Sequence, residues 1–518
     1  MEENPHQHHA SAETGKVSVG VVSTDSFNWK KLWSFMGPGL LVSIAYIDPG
    51  NLDTDIHAGA LFRYQLLWVL VWATAMGFVL QFLAAKLGIV TSGDLAQHCR
   101  LSYKRPLSLS LWIMAEISVI ASDIPEVMGT AFALQLLFRL PLWIGVIVTG
   151  LDTILFLMLQ SFSVRALEAL IASFLALVSM CFVLEVFLSD VDVLRMVNGV
   201  VPLSGFFLDD NKADYIFLTI SLIGAVVMPH NLFLHSALVQ SRRIERDRKS
   251  INEAIRYNII ECLIALSVSL VINASVVIVA SNIFESTQAQ MLLNGDEDSS
   301  IFSQASLMLT SLGPFAPKVF AVALLASGQS STITGTYAGQ FVMEGFLDLK
   351  VVAWKRNLIT RLVAIIPSLL VALLATQAAS DQLIIISQVL LSIQLPFALI
   401  PLLKLTNSKR VMGEWKNSKT VSSIGWVLAV MVISADFLMV LINILPFVGF
   451  DAILPFLSLI FVLFLSVFYV SLLLWVIWAP VDDNSVNYNR MSERRMIEME
   501  LNVLSFDPDS SSPSSSSS

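Results

Sequence analysis

Two apolar segments of this chain, roughly 33–56 and 215–240, are each long enough to cross a bilayer, and proline interrupts each near mid-length. The interruptions read Asp48-Pro49-Gly50-Asn51 and Met228-Pro229-His230-Asn231, with the two prolines and the two asparagines each 180 positions apart. Proline offers no N–H, and its ring clashes with the preceding turn, so a helix unwinds there. Unwound backbone survives at membrane depth only where protein or a water-filled cavity covers it. The two strings therefore demand a bundle that encloses them, and function is expected where they lie.

The rest of the chain can supply that bundle. Of its 518 residues, 55% are hydrophobic and only 14% charged, too apolar for a soluble globule of this length. The apolar runs predict an all-α polytopic membrane protein with about 12 spans. They fall at roughly 33–56, 64–90, 109–137, 142–160, 165–188, 215–240, 257–281, 315–345, 358–376, 382–404, 422–446 and 451–478. These runs are helix-length, unlike the alternating strands of roughly ten residues in an outer-membrane barrel.

The net charge of −9 says less than its placement. Arg242, Arg243, Arg246, Arg248, Lys249 and Arg256 follow the sixth span. Lys350, Lys355 and Arg356 follow the eighth, and Lys404, Lys409, Arg410, Lys416 and Lys419 the tenth. The loop after the seventh has no Lys or Arg but holds Glu285, Asp296, Glu297 and Asp298. Positive residues stay on the cytosolic side, so both termini are expected in the cytosol. Residues 1–32 then form a disordered cytosolic tail, with no apolar core of a signal peptide, and 479–518 a cytosolic Ser-rich tail. His6, His8 and His9 read as part of the polar tail. Cys99, Cys181 and Cys262 fall outside the predicted outer loops, so no extracellular disulfide is expected.

The breaks lie in the first and sixth spans. A repeat of five spans is odd, so its second copy must enter the membrane from the opposite side, as in secondary transporters with discontinuous helices. The transmembrane domain, 33–478, divides on this reading into a first repeat (33–188), a second (215–404) and two added spans (422–478).

The side chains at the breaks are ligands for a cation. Asp48 is a carboxylate inside a span, costly unless paired or functional. Asn51 adds a neutral oxygen and Met228 a thioether. Pro229 also frees a carbonyl three to four residues earlier, at Ala225 or Val226. One hard anion, neutral oxygens and one soft sulfur suit Mn2+, Fe2+, Co2+ or Cd2+. Mg2+ and Ca2+ want oxygen alone.

At these residues the chain resembles the natural resistance-associated macrophage protein (NRAMP) family of divalent metal transporters, plant members above all. Asp48-Pro49-Gly50-Asn51 is similar to the family's first-span motif, and Ala225-Val226-Val227-Met228-Pro229-His230-Asn231 to its sixth-span motif. The stretch from Gly328 to Gln340 resembles its eighth-span motif. The resemblance implies a LeuT-like inverted repeat of spans 1–5 and 6–10, and proton-coupled import of Mn2+ or Fe2+, with Cd2+ also compatible. It implies metal binding by Asp48, Asn51 and Met228 side chains and the Ala225 carbonyl, with Gln388 a further contact and Ala45 a carbonyl in other states.

Glu116, Asp123 and Glu126 in the third span are spaced to share one helix face. Three such carboxylates repel if all are ionised, so the stripe is expected to carry protons. His230 and His235 are imidazoles able to accept or relay one. The resemblance implies that these acids form a proton exit path and that a ninth-span arginine pairs with them. Arg356 is expected to be that arginine, with Arg361 the other candidate. Asp152 and Asp436 are buried charges with no assigned role.

A metal-sensing membrane protein on the same scaffold would carry degraded motifs and a long soluble tail. An organic-solute transporter would have no need of Met228 opposite Asp48. No nucleotide loop, nucleophile constellation or soluble catalytic domain points to an enzyme, and no cofactor or nucleic-acid partner is expected. The expected partners are divalent metal ions, protons and the lipid bilayer. The protein is expected to act as a monomer, with the plasma membrane favoured over a vacuolar or endosomal one.

Overall fold

The computed structural model describes residues 45–159, 191–202, 212–241, 244–285, 300–309, 315–349, 353–444 and 453–481, with scattered positions between 173 and 187. Every regular element among the described residues is helical. In an apolar setting each backbone N–H and C=O must find its partner within its own segment, and a helix does this.

Helix α1 (Pro49–Phe62) follows a 3-10 turn, Ala45–Ile47, and leads through a second, Arg63–Leu66, into α2 (Leu67–Thr91). Next come α3 (Arg105–Phe138) and α4 (Leu142–Leu159). Helices α5 (Lys212–Val226) and α6 (Pro229–Leu238) are the two halves of the second broken segment. They are followed by α7 (Arg248–Glu285), α8 (Ala316–Leu347), α9 (Ala353–Leu374), α10 (Gln377–Thr406), α11 (Lys419–Ile444) and α12 (Ile453–Trp478).

Six stretches among the described residues are long and apolar enough to cross a membrane: Pro49–Thr91, Arg105–Phe138, Lys212–Leu238, Arg248–Asn282, Gln377–Thr406 and Lys419–Met439. Large apolar side chains such as Leu263, Val268 and Val271 on α7 and Val427 and Val430 on α11 face outwards, as lipid contact requires. The chain is an all-α, multi-pass integral membrane protein. Residues 33–44 of the first expected span, most of the fifth (165–188) and the tails before 45 and after 481 lie outside the described residues.

One boundary departs from the expectation. Apolarity places the start of the seventh span near 257, but α7 begins at Arg248. Asp247 accepts the N–H groups of Lys249 (3.0 Å) and Ser250 (3.1 Å), which caps the helix in polar sequence. A helix projecting beyond the bilayer needs a cap rather than apolar residues, so hydropathy alone stops short of it.

Lipid tails are as apolar as leucine, so helices here associate through close packing at small residues. A Cβ on Gly224 would run into the Gln388 carbonyl and lie 2.8 Å from the Ser392 nitrogen, so α5 and α10 meet backbone to backbone. Gly59 brings α1 onto α7 in the same way, at Val277 and Ser281. Helices α5 and α6 are almost wholly enclosed, whereas α11 turns most of its surface outwards. The two breaks thus lie inside the bundle, against α3, α8 and α10.

Candidate metal passage

The first break is built by three residues. Asp48 is extended (φ −84°, ψ 166°), and Pro49 opens α1, where its missing N–H removes no helical bond. The Asp48 carboxylate caps α1 by accepting the Asn51 N–H at 2.7 Å. The Asn51 side-chain nitrogen donates to the Tyr46 carbonyl at 2.6 Å, while its Oδ1 is buried without a partner. Both residues are at most 2% exposed.

The second break follows the same plan. Met228 is extended (φ −73°, ψ 121°) and Pro229 opens α6. Asn231 donates its backbone N–H to the Met228 carbonyl at 3.2 Å and its side-chain nitrogen to the Met228 sulfur at 3.3 Å. Its own Oδ1 is left unpartnered. Four residues before each proline stands an alanine, Ala45 and Ala225, whose carbonyl finds no N–H at the usual helical position.

Gln388 on α10 lies between them. Its backbone abuts Gly224, next to Ala225, and its side chain occupies the space where Gly50, next to Asn51, would carry a Cβ. Neither its amide oxygen nor its amide nitrogen has a partner, and the residue is fully buried. Met228 packs against Ala121 of α3 and Leu391 of α10. A buried polar atom without a partner costs about 1–3 kcal/mol. Asn51, Asn231, Gln388 and the Nδ1 of His230 all carry one around these breaks. Such atoms together with a carboxylate and a thioether suit a polar guest, a borderline divalent cation above all. Among the described residues no group of three or more His, Cys, Asp or Glu side chains is arranged to hold a metal.

The acids of α3 lie directly behind the first break. The Cβ of Pro125 is 3.1 Å from the position a Gly50 Cβ would take, and Gly129 abuts Pro49. Arg361 of α9 places Nη1 2.8 Å from Glu126 and 3.7 Å from Asp123. Thr332 of α8 donates to Glu126 at 3.1 Å and accepts from Arg361. Gly335, one turn on, leaves both carboxylates room. Among the described residues, the arginine that meets these acids is Arg361, the second of the two candidates. The Arg356 side chain lies outside the described ones. Glu116 is half-buried two turns away and accepts from Trp112 at 3.1 Å.

The two histidines part company. His230 is buried beside Met228. His235 belongs to another network, on the side of α2 and α7. Its Nδ1 meets Gln81 Oε1 at 2.8 Å, its Nε2 faces Asn258 at 3.5 Å and Cys262 at 3.9 Å, and Gln81 donates to the Tyr46 hydroxyl at 2.9 Å.

The structure also brings forward residues that the sequence leaves unmarked. Asp53 and Asp55 on α1 are fully buried, and His57 lies 3.5 Å from Asp53. Asp381 accepts from Ser300 (2.8 Å) and from the Ile301 N–H (2.6 Å), tying the short helix Ile301–Met308 to the start of α10. The spacing of Asp53 and His57, one turn apart in an apolar segment, was the available signal.

Discontinuous helices enclosed in a membrane bundle are how secondary transporters build their solute sites. The protein is a secondary transporter of divalent transition metals, not an enzyme. Residues 39–442 match the family described as natural resistance-associated macrophage protein-like. Metal transporter Nramp3 of Oryza sativa subsp. japonica is 49% identical over 411 residues, covering 78% of this chain and 73% of that one. Metal transporter Nramp6 of Arabidopsis thaliana is 49% identical over 411 residues, covering 79% and 77%. A solved mutant of the Eremococcus coleocola manganese transporter superposes with a TM-score of 0.78 at 35% identity, covering 90% of this chain and 98% of that one. The chain belongs to the NRAMP family.

Proposed function

We propose that this chain imports Mn2+ or Fe2+ into the cytosol together with protons. Asp48, Asn51, Met228, Gln388 and the Ala225 carbonyl hold the ion, and Ala45 lends its carbonyl in other states. Manganese is the ion named for the solved relative. The observation that carries the reading is the matched pair of buried breaks, each opened by proline and each leaving an asparagine oxygen unpartnered.

Protons leave, on this reading, through Asp123 and Glu126, with Arg361 as their counter-charge and Glu116 further along α3. His230 receives the proton beside the metal. His235 tunes the first break through Gln81 and Tyr46. A divalent ion entering an inside-negative cytosol gains about 4.6 kcal/mol per 100 mV, twice the value for one charge. The chain is read as twelve spans, with spans 1–5 and 6–10 as an inverted repeat, both termini cytosolic, and the plasma membrane as its site.

The test is Mn2+ uptake into proteoliposomes held inside-negative, with interior pH recorded. Uptake that grows as the outside is acidified, with the interior acidifying in step, supports the reading. Mn2+ entry with no accompanying proton entry would contradict it.

A further inference from the structure

Asp436 is 1% exposed on α11, a helix that otherwise faces outwards, with its neighbours Phe437 and Leu438 exposed. A buried carboxylate on such a peripheral helix is expensive. Its partners are two hydroxyls. Ser392 of α10 donates at 2.9 Å and Tyr469 of α12 at 3.4 Å. Tyr469 in turn sets its ring edge-on to Phe397 of α10, centroids 5.4 Å apart. One turn beyond Asp436, Met439 packs with Ile216 and Ile220 of α5 and Val389 of α10. The inner face of α11 therefore grips the seam between α5 and α10.

Ser392 stands one turn after Gln388, on the same face of α10. Its nitrogen lies against Gly224, so that turn is held by α5 through its backbone and by α11 through its hydroxyl. The Gln388 amide has no hydrogen bond of its own. Packed against Gly50, it takes its position from the rotation of the α10 turn that carries it. A helix with side chains has a radius of roughly 5–6 Å, so a turn of about 10° shifts that amide by about 1 Å.

We propose that Asp436 is a positioning residue for metal transport. Through Ser392 it fixes the rotation of α10, and with it the Gln388 amide between the two breaks. The proposal rests on the reading that Gln388 faces the transported ion.

The test is the apparent KM and maximal rate of Mn2+ uptake in proteoliposomes, normalised to folded transporter. Ser392→Ala and Asp436→Leu should each raise KM about 3- to 10-fold, the worth of one hydrogen bond, with the maximal rate within about twofold. Asp436→Asn keeps an acceptor oxygen for Ser392, so its KM should stay within about twofold of wild type. In a Gln388→Ala background, Ser392→Ala should add nothing, since residues acting through one another are not additive. If Gln388→Ala raises KM while Ser392→Ala does not, the positioning role is overturned and the site stands. If Gln388→Ala leaves KM unchanged, the site reading of Gln388 fails and the inference with it. A lowered maximal rate at unchanged KM in Ser392→Ala and Asp436→Leu would make Asp436 a structural residue only.

Discussion

Arg361 reaches Glu126 at 2.8 Å from a different helix, and the same guanidinium nitrogen lies 3.7 Å from Asp123. One cation thus faces two buried carboxylates. On the proposed reading one of the two carries a proton, and each proton that leaves restores the repulsion between them that draws in the next. The proposed proton route behind the first break rests on this geometry.

Removing the guanidinium should be severe. Arg361→Leu removes the guanidinium that faces both Glu126 and Asp123, a loss of about 3–5 kcal/mol for a broken buried pair. Thermal unfolding in detergent should show a clear drop in Tm. Glu126→Gln added to Arg361→Leu should recover part of it. An unchanged Tm in the single variant would mean that the pair carries no net stability.

Asp123→Asn should flatten the pH profile of Mn2+ uptake. Wild-type uptake is expected to rise as the external pH falls, because protonation supplies the coupled ion. With the amide in place one carboxylate remains opposite Arg361, and the pair balances without a proton. Retention of the wild-type slope in Asp123→Asn would remove α3 from the route.

Met228→Ala should alter selectivity rather than abolish transport. The remaining donors are oxygens, which suit Ca2+ as well as Mn2+. Ca2+ should then compete roughly tenfold more effectively, a change of about 1.4 kcal/mol in relative affinity. Unaltered competition would leave the sulfur as packing against Ala121 and Leu391.

Gly50 and Gly224 separate site from scaffold. A methyl on Gly50 meets first the flexible end of Gln388 and then, at 3.1 Å, Pro125 Cβ, so Gly50→Ala should displace that amide and raise the KM for Mn2+ with only a small fall in Tm. A methyl on Gly224 meets the α10 backbone, so Gly224→Ala should cost about 1–3 kcal/mol by overpacking. Measured on both variants, Tm should fall clearly only in Gly224→Ala, whereas KM should rise in both, because a displaced α10 carries Gln388 with it.

The breaks were legible from the chain because proline writes its effect into covalent chemistry. Asp48, Asn51 and Met228 needed nothing more than that and their own donor atoms. Arg361 was not separable from Arg356, since five residues place two side chains about 140° apart on a helix, and sequence does not say which face turns inwards. His235 was legible as an imidazole near the break but not as a partner of Gln81, because that contact joins α6 to α2 across 154 positions. Asp381 was hidden for the same reason, its partners Ser300 and Ile301 lying about 80 positions away. Gln388 came forward only through the family resemblance. As an uncharged residue it carries no signal of burial cost, and only the fold reveals that both of its amide atoms are unsatisfied.

The most direct measurement is Mn2+ uptake by Asp48→Ala beside wild type, in proteoliposomes matched for reconstituted protein. Removing the carboxylate that opens the first break should lower uptake more than the roughly 100-fold that loss of a supporting hydrogen bond to a metal ligand can cost. Uptake at the wild-type rate in Asp48→Ala would contradict a metal site at the two broken helices.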